Sequence, residues 1–338
     1  MTITDAARLE RVLLDIVHRV EIKSDFSLTH PEHPSVELLP MRSHFAHLPS
    51  QVQDNYLKVK LQQFLQHIYY VAQPREVDLK IENQAIKWSQ SKFLQQLKQN
   101  NHGEGYFEPG WQIIGEIEEE FLQVYKDELT LYIRRQHLID ETAQLGDIVG
   151  VKMPPHRVEP GYYIAVGNAG GIVGQPDNTV INIYLNLSSQ GALAMMDGLT
   201  TKLNAIAIPF LFQVLYRESD YIYSDTATIS LFKNDYYHFK QVIKSLYRQH
   251  QNYFRSEVPL FTKYLAPGYS MAEQPSLDIN LATHRFQLIA EALIMAWQQN
   301  LISPMDKLKC ISDRFKRENI GLKYFYLNPG SKDIYSLM

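Results

Sequence analysis

Residues Thr179–Leu187 read TVINIYLNL. In an extended chain Ile181, Ile183, Leu185 and Leu187 fall on one face, and Asn182, Tyr184 and Asn186 on the other. Ser188 and Ser189 follow at once, and both are good N-cap residues for a helix running through Leu193, Met196, Leu199 and Leu203. The stretch therefore reads as a half-polar strand that feeds a capped helix.

The same two periods recur on either side. Upstream, Trp111–Ile117, Phe121–Tyr125 and Leu129–Arg135 alternate as a meander of short antiparallel strands, and Ile148–Met153 and Tyr162–Gly167 continue it. Downstream, Pro209–Tyr216 and Ala227–Phe232 read as strands, with Asn234 as the cap of a helix over Tyr236–Tyr253. Thr283–Asn300 predicts a further helix, and Ser303-Pro304-Met305-Asp306 opens one that ends near Gly321. The first hundred residues are helical in pattern. Leu9, Val12, Leu13, Ile16 and Val20 share a face, as do Leu57, Leu61, Phe64, Leu65 and Ile68, with a loop over His30–Ser50 between them. A short helix over Ser89–Leu97 precedes the polar run Gln99–Gly105, QNNHGEG, which marks a boundary. Segregated strands and helices predict an α+β fold: a helical N-terminal region over 1–103, then a mainly antiparallel sheet with packed helices over 104–338.

The chain has 338 residues, a formal net charge of −4 and one cysteine, Cys310. An intramolecular disulfide and a thiolate metal cluster are both ruled out by that count. The charge gives no general attraction to nucleic acid or to an anionic membrane, so neither is an expected partner. With no apolar run of signal or membrane-spanning length, the expected location is the cytoplasm.

Motifs for nucleotide, metalloprotease, α/β-hydrolase and kinase chemistry are missing. Gly167-Asn168-Ala169-Gly170-Gly171 resembles a phosphate-binding turn, but no amphipathic helix follows it, and Pro176-Asp177-Asn178 predicts a plain hairpin connection. The polar face of Thr179–Leu187 has two readings. It is the solvent face of an antiparallel sheet, the commoner case, or the wall of a cleft in which Asn182, Tyr184 and Asn186 hydrogen-bond a peptide or phosphate. Lys263 sits among apolar residues in LFTKYL, either as an edge gatekeeper or as a partly desolvated amine able to act as a base. His284 and Arg285 open an apolar helix, where an arginine and free backbone N–H groups favour anions, although on the residues alone an ordinary exposed first turn is the preferred reading. Lys202 reads as a lysine at the rim of a buried helix face. Alternation alone would let Arg135 and Lys152 project into one groove.

Four segments carry a family resemblance: GYYIAVGNAG (Gly161–Gly170), LFTKYLAPGYSMAEQP (Leu260–Pro275), THRFQLIAEAL (Thr283–Leu293) and YLNPGSKDIY (Tyr326–Tyr335). They resemble the HopA-type effector family, named for a plant-pathogen type III secreted effector. Relatives also occur in lanthipeptide and thioamitide-like clusters that make ribosomally synthesised, modified peptides. The resemblance runs roughly from Trp111 to the C-terminus. It implies one of two roles. Cluster-encoded relatives work beside a kinase-like partner that phosphorylates Ser or Thr of a precursor peptide, and they eliminate the phosphate to leave dehydroalanine or dehydrobutyrine. The effector role is instead a non-catalytic or peptide-binding interaction.

The lyase reading asks for a base at the Cα proton, an acid at the leaving oxygen and cations around the phosphate, with no cofactor and no metal. On that reading Lys263 is the expected base and His284 the acid. Arg285, Lys202 and Arg135 are the expected phosphate ligands, and Asn182, Tyr184 and Asn186 line the peptide site. The implied partners are a phosphorylated precursor peptide and a kinase-like protein.

Overall fold

The computed structural model describes residues 5–36, 49–70, 92–118, 120–172, 178–222, 224–276 and 279–337. Helix α1 (Asp5–Arg19) buries Leu9, Leu13 and Ile16 of the apolar stripe read from the sequence, and Val17 beside them. A small sheet of β1 (Glu21–Ile22), β2 (Leu28–His30) and β3 (His33–Val36) follows, and its last strand stands within the expected loop over His30–Ser50. The rest of that loop lies largely outside the described residues. Helices α2 (Ser50–Tyr69) and α3 (Lys92–Gln99) complete the N-terminal region.

A four-stranded antiparallel sheet comes next, made of β4 (Tyr106–Glu118), β5 (Phe121–Lys126), β6 (Leu129–Arg134) and β7 (Ile148–Met153) in the order β6-β5-β4-β7. It is the expected meander with one strand added. Trp111, Ile113, Leu122, Val124 and Val151 give it a core of its own. The N-terminal helices instead share one core with the larger sheet, so apolar packing crosses the boundary at 103/104.

That larger sheet has seven strands, all antiparallel, in the order β13-β14-β10-β12-β11-β9-β8. They are β8 (His156–Glu159), β9 (Tyr162–Val166), β10 (Val180–Leu185), β11 (Leu211–Leu215), β12 (Ala227–Phe232), β13 (Lys263–Ala266) and β14 (Tyr269–Glu273). The α+β class read from the sequence is the class of the fold. The hairpin expected between β9 and β10 is not present, because β11 and β12 lie between them in the sheet. The turn at Gly167–Gly170 closes on itself through Gly170 N–H to Gly167 O, 2.9 Å, and its Asn168 N–H is held by Asn204 Oδ1 at 2.9 Å. Pro176 and Asp177 lie outside the described residues.

Four helices pack around the sheet: α4 (Ser189–Ala205), α5 (Tyr236–His250), α6 (Leu281–Gln298) and α7 (Pro304–Arg317). Ser188 caps α4 as expected, its hydroxyl accepting from Gly191 N–H at 3.2 Å. Two helix starts differ from the sequence reading. Asn280 caps α6 by accepting from Thr283 N–H at 2.9 Å, so this helix begins before Thr283. Helix α5 has Asp235 rather than Asn234 at its start and makes no side-chain cap, because a 3-10 turn over Lys233–Asp235 leads into it. Pro267-Gly268 turns β13 into β14. There Gly268 takes φ +66°, and any Cβ would stand 2.0 Å from the Arg255 carbonyl, so only glycine fits.

Candidate functional site

Strand β10 has Ile181, Ile183 and Leu185 in the main core, and its other face forms the floor of a cleft of about 800 Å³. The register builds that floor in rows. Asn182, Ser230 and Leu211 stand side by side, as do Tyr184, Thr228 and Gln213, and all six line the cleft. The second row continues through Ile164 to Arg157 on edge strand β8, which also lines it. Gln63, Gln66, His67 and Tyr70 on and just beyond α2 close the other side. Helix α2 turns Leu57, Leu61, Phe64 and Leu65 inward, leaving Gln63 and His67 exposed on the cleft side. Asn280, the cap of α6, sits on the rim, so the positive end of that helix dipole opens there.

Of the two readings of the β10 polar face, the cleft wall is the one found. Asn182 accepts from Ser230 Oγ at 2.7 Å and donates to Gln274 Oε1 at 3.1 Å, which fixes its amide on the floor. Burial pushes the Tyr184 phenol up to about 12, so it is protonated at neutral pH. Arg157 pairs with Glu159 at 2.8 Å, an exposed contact that solvent weakens and that leaves donors available. Asp225 is the one carboxylate among the lining residues. Asn186 does not join them. It is buried behind the β13–β14 turn, with its Nδ2 donating to Glu257 O at 3.1 Å.

The expected base and acid lie elsewhere. Lys263 stands beside Met271 and Ile183 in the register, on the face opposite Asn182 and Tyr184. Its ammonium donates to Asp333 Oδ2 at 2.6 Å and to Tyr335 O at 2.5 Å, and it lies 5.3 Å over the Tyr326 ring. Arg285 is 1% exposed. Its Nε donates to Phe325 O and its Nη2 to Leu327 O, both at 2.9 Å, and its Nη1 to His284 Nδ1 at 2.6 Å. Glu273, fully buried, accepts from Lys233, Ser331, Tyr335 and the Asn328 amide. These side chains are gathered because each holds the C-terminal segment 325–335 against the sheet and α6. The motif segments that looked like one site form a clamp on that segment.

Neither Lys202 nor Arg135 lines the cleft. Lys202 is exposed on α4. Arg135 donates to Ala143 O at 2.8 Å and to Glu141 O at 3.2 Å and pairs with Glu116. Lys152 is on β7, whose Val151 bridges Leu138 just after Arg135, so the two edges of the four-stranded sheet come together there, away from the cleft lining.

Two expected results follow from the clamp. Arg285→Leu strands two buried carbonyls and should cost about 2–4 kcal/mol in urea unfolding, with Arg285→Lys intermediate because an ammonium reaches fewer acceptors. An unchanged midpoint would return Arg285 to the list of free anion ligands. The second concerns pH. Burial, and then the Arg285 charge, holds His284 below its ordinary value. The unfolded chain thus takes up a proton near pH ~6.5 that the folded chain refuses, so this contribution to stability is complete above that pH and is lost on acidification. His284→Gln should flatten the fall of the unfolding midpoint between about pH 7 and 5; an identical slope would remove His284 as its source.

The family model of the HopA1 effector proteins matches residues 153–327, just over half of the chain. The chain belongs to the HopA1 effector protein family. The match begins at the last residue of β7 and takes in the whole seven-stranded sheet, the clamp residues Lys263, Glu273 and Arg285, and most of the cleft floor. Two solved effector structures are similar, from Pseudomonas syringae pv. tomato strain DC3000 (TM-score 0.43) and pv. syringae strain 61 (TM-score 0.39). Each is 14% identical, over 72% of this chain and 82% of the other. No curated protein sequence matches. No helix among the described residues is long and apolar enough to cross a membrane.

His67 and Arg157 were not singled out in the sequence as cleft residues. Thr228 and Ser230 carry the same alternation as Asn182 and Tyr184, a signal that was there to be read. For His67 the only signal was its place on the helix face away from Leu61 and Leu65.

Proposed function

We propose that this HopA1-family protein is a phosphoserine/phosphothreonine lyase acting on a kinase-phosphorylated precursor peptide that lies extended across the cleft. The observation that carries the reading is that one polar cleft is lined by an imidazole, a phenol held protonated and a guanidinium: His67, Tyr184 and Arg157. The resemblance to cluster-encoded relatives supplies the reaction class. Proton transfer, expected of Lys263 and His284, passes in this proposal to His67 and Tyr184, because Lys263 faces away from the cleft and His284 is turned to Arg285.

The imidazole of His67 takes the Cα proton of the phosphorylated residue. The released electron pair forms the Cα=Cβ bond as the Cβ–O bond breaks, and phosphate leaves with its bridging oxygen. Arg157 and the α6 N-terminus balance the negative charge, and Tyr184 donates the proton that the leaving oxygen needs. Four inter-strand steps separate Tyr184 from Arg157, roughly 19 Å between Cα positions, a gap that two long side chains and one phosphorylated residue fill together.

The test is mass spectrometry of phosphothreonine and phosphoserine peptides incubated with the protein and EDTA. Loss of phosphoric acid with a dehydrated residue left behind is the expected outcome. Phosphate release with the hydroxyl restored would make it a phosphatase. The second reading is a peptide-binding, effector-like module. It is favoured by the way Lys263 and Arg285, two of the three Lys and Arg residues within the family-like motifs, spend their contacts on the protein's own C-terminal segment. An unaltered cognate precursor, phosphorylated by its own kinase, would decide for that reading.

A further inference from the structure

A second groove lies apart from the cleft, between α5 and residues 331–336. It is a hollow of about 810 Å³ that runs on into another of about 600 Å³, the two sharing Gln241 and Lys244. Lys240, Lys244 and Arg248 stand one turn apart along α5, and Lys332 faces them from the C-terminal segment. No acidic residue is among those lining either hollow. The carboxylates nearby are already engaged, Glu273 by Lys233 and Asp333 by Lys263. Lys240 reaches the hydroxyl of Ser336. Among the described residues no carboxylate pairs with Lys240, Lys244, Arg248 or Lys332. Like charges at this spacing destabilise a helix, so the row is maintained against a cost that an anion would relieve. In a chain whose net charge is −4, this is a local inversion of sign, with Lys240, Lys244 and Lys332 in the hollow between α5 and the C-terminal segment and Arg248 beyond it along α5.

We infer that the groove binds an acidic peptide segment in extended conformation. Successive cations on α5 are about 6 Å apart along the helix. Alternate side chains of an extended peptide are about 6.8 Å apart. Carboxylates at every second position therefore meet Lys240, Lys244 and Arg248 in register, which a single small anion cannot do. The intervening side chains point the other way, towards Ile334 of the C-terminal segment, which is 49% exposed. Apolar residues between the acids complete the match. This site goes beyond the proposed lyase activity and shares no residue with the cleft.

Fluorescence anisotropy with a labelled peptide of alternating glutamate and leucine tests the assignment on the full chain. Binding is expected to weaken with added salt and to fall about tenfold or more in Lys244→Glu/Arg248→Glu, with circular dichroism unchanged. His67→Ala, in the cleft, should leave the affinity as it was, which separates this site from the lyase reading. Equal affinity for the peptide with lysine in place of glutamate would overturn the assignment, as would undiminished binding by the double variant. Displacement of the peptide by inorganic phosphate at matched charge would reduce the groove to a small-anion site and overturn it as well.

Discussion

Glu273→Ala should lower the free energy of unfolding by about 3–5 kcal/mol, the range found when one partner of a buried ion pair is removed. Glu273 is fully buried on β14. Its Oε1 accepts from Lys233 Nζ at 2.7 Å, Ser331 Oγ at 2.7 Å and Tyr335 Oη at 2.8 Å, and its Oε2 from Asn328 N–H at 2.8 Å. Alanine leaves a poorly exposed ammonium without its counter-charge and three further donors without an acceptor. Burial, reinforced by the Glu273 charge, already drives the Tyr335 phenol far above its ordinary range, a mark of how little solvent reaches the cluster. Glu273→Gln keeps the volume but turns an acceptor into a donor, and should fall between wild type and alanine. Urea unfolding measures the loss, and trypsin should cut first in 325–337 as the clamp opens. A loss below about 1 kcal/mol, the scale of an exposed pair, would mean that the cluster is solvated and the clamp incidental.

The second large effect is chemical. If His67 and Tyr184 move the protons of elimination, His67→Ala and Tyr184→Phe should each slow dehydration of a phosphothreonine peptide by about 10²–10⁴-fold, the usual worth of a positioned acid or base. Folding should be unaffected in His67→Ala because that side chain is exposed. Arg157→Ala should weaken peptide affinity more than it slows turnover by bound enzyme. Lys263→Ala is the control. It breaks the Asp333 pair and should lower stability while sparing the rate at temperatures where the fold persists. Elimination abolished in Lys263→Ala but intact in His67→Ala would move the chemistry to the other face of the sheet.

The limits of sequence reading can be located residue by residue. The apolar stripes of α1 and α2, the alternation of β10 and β12 and the serine cap of α4 were legible because each is a local, periodic demand of the backbone. Asn182 and Tyr184 were legible for the same reason, since strand alternation assigns faces without knowing what lies across them. His284, Arg285 and Lys263 were read as a site, whereas Lys263 and Arg285 contact the C-terminal segment, His284 contacts Arg285, and none of the three lines the cleft. Proximity in sequence and suitable chemistry cannot distinguish a side chain that faces a ligand from one that faces the protein's own carbonyls.

By itself, then, the sequence determined that this chain is α+β, that its strands are antiparallel and half-polar, and that Asn182 and Tyr184 share a face. Those are consequences of short-range sterics and of burying one side of each element. Only the tertiary structure decided the strand order that parts β9 from β10, the roof that α2 makes over the polar face, and the C-terminal segment that occupies Lys263, Glu273 and Arg285. Each of these joins residues tens to hundreds of positions apart. Long-range pairing depends on which complementary surfaces meet after collapse, and no local period records that.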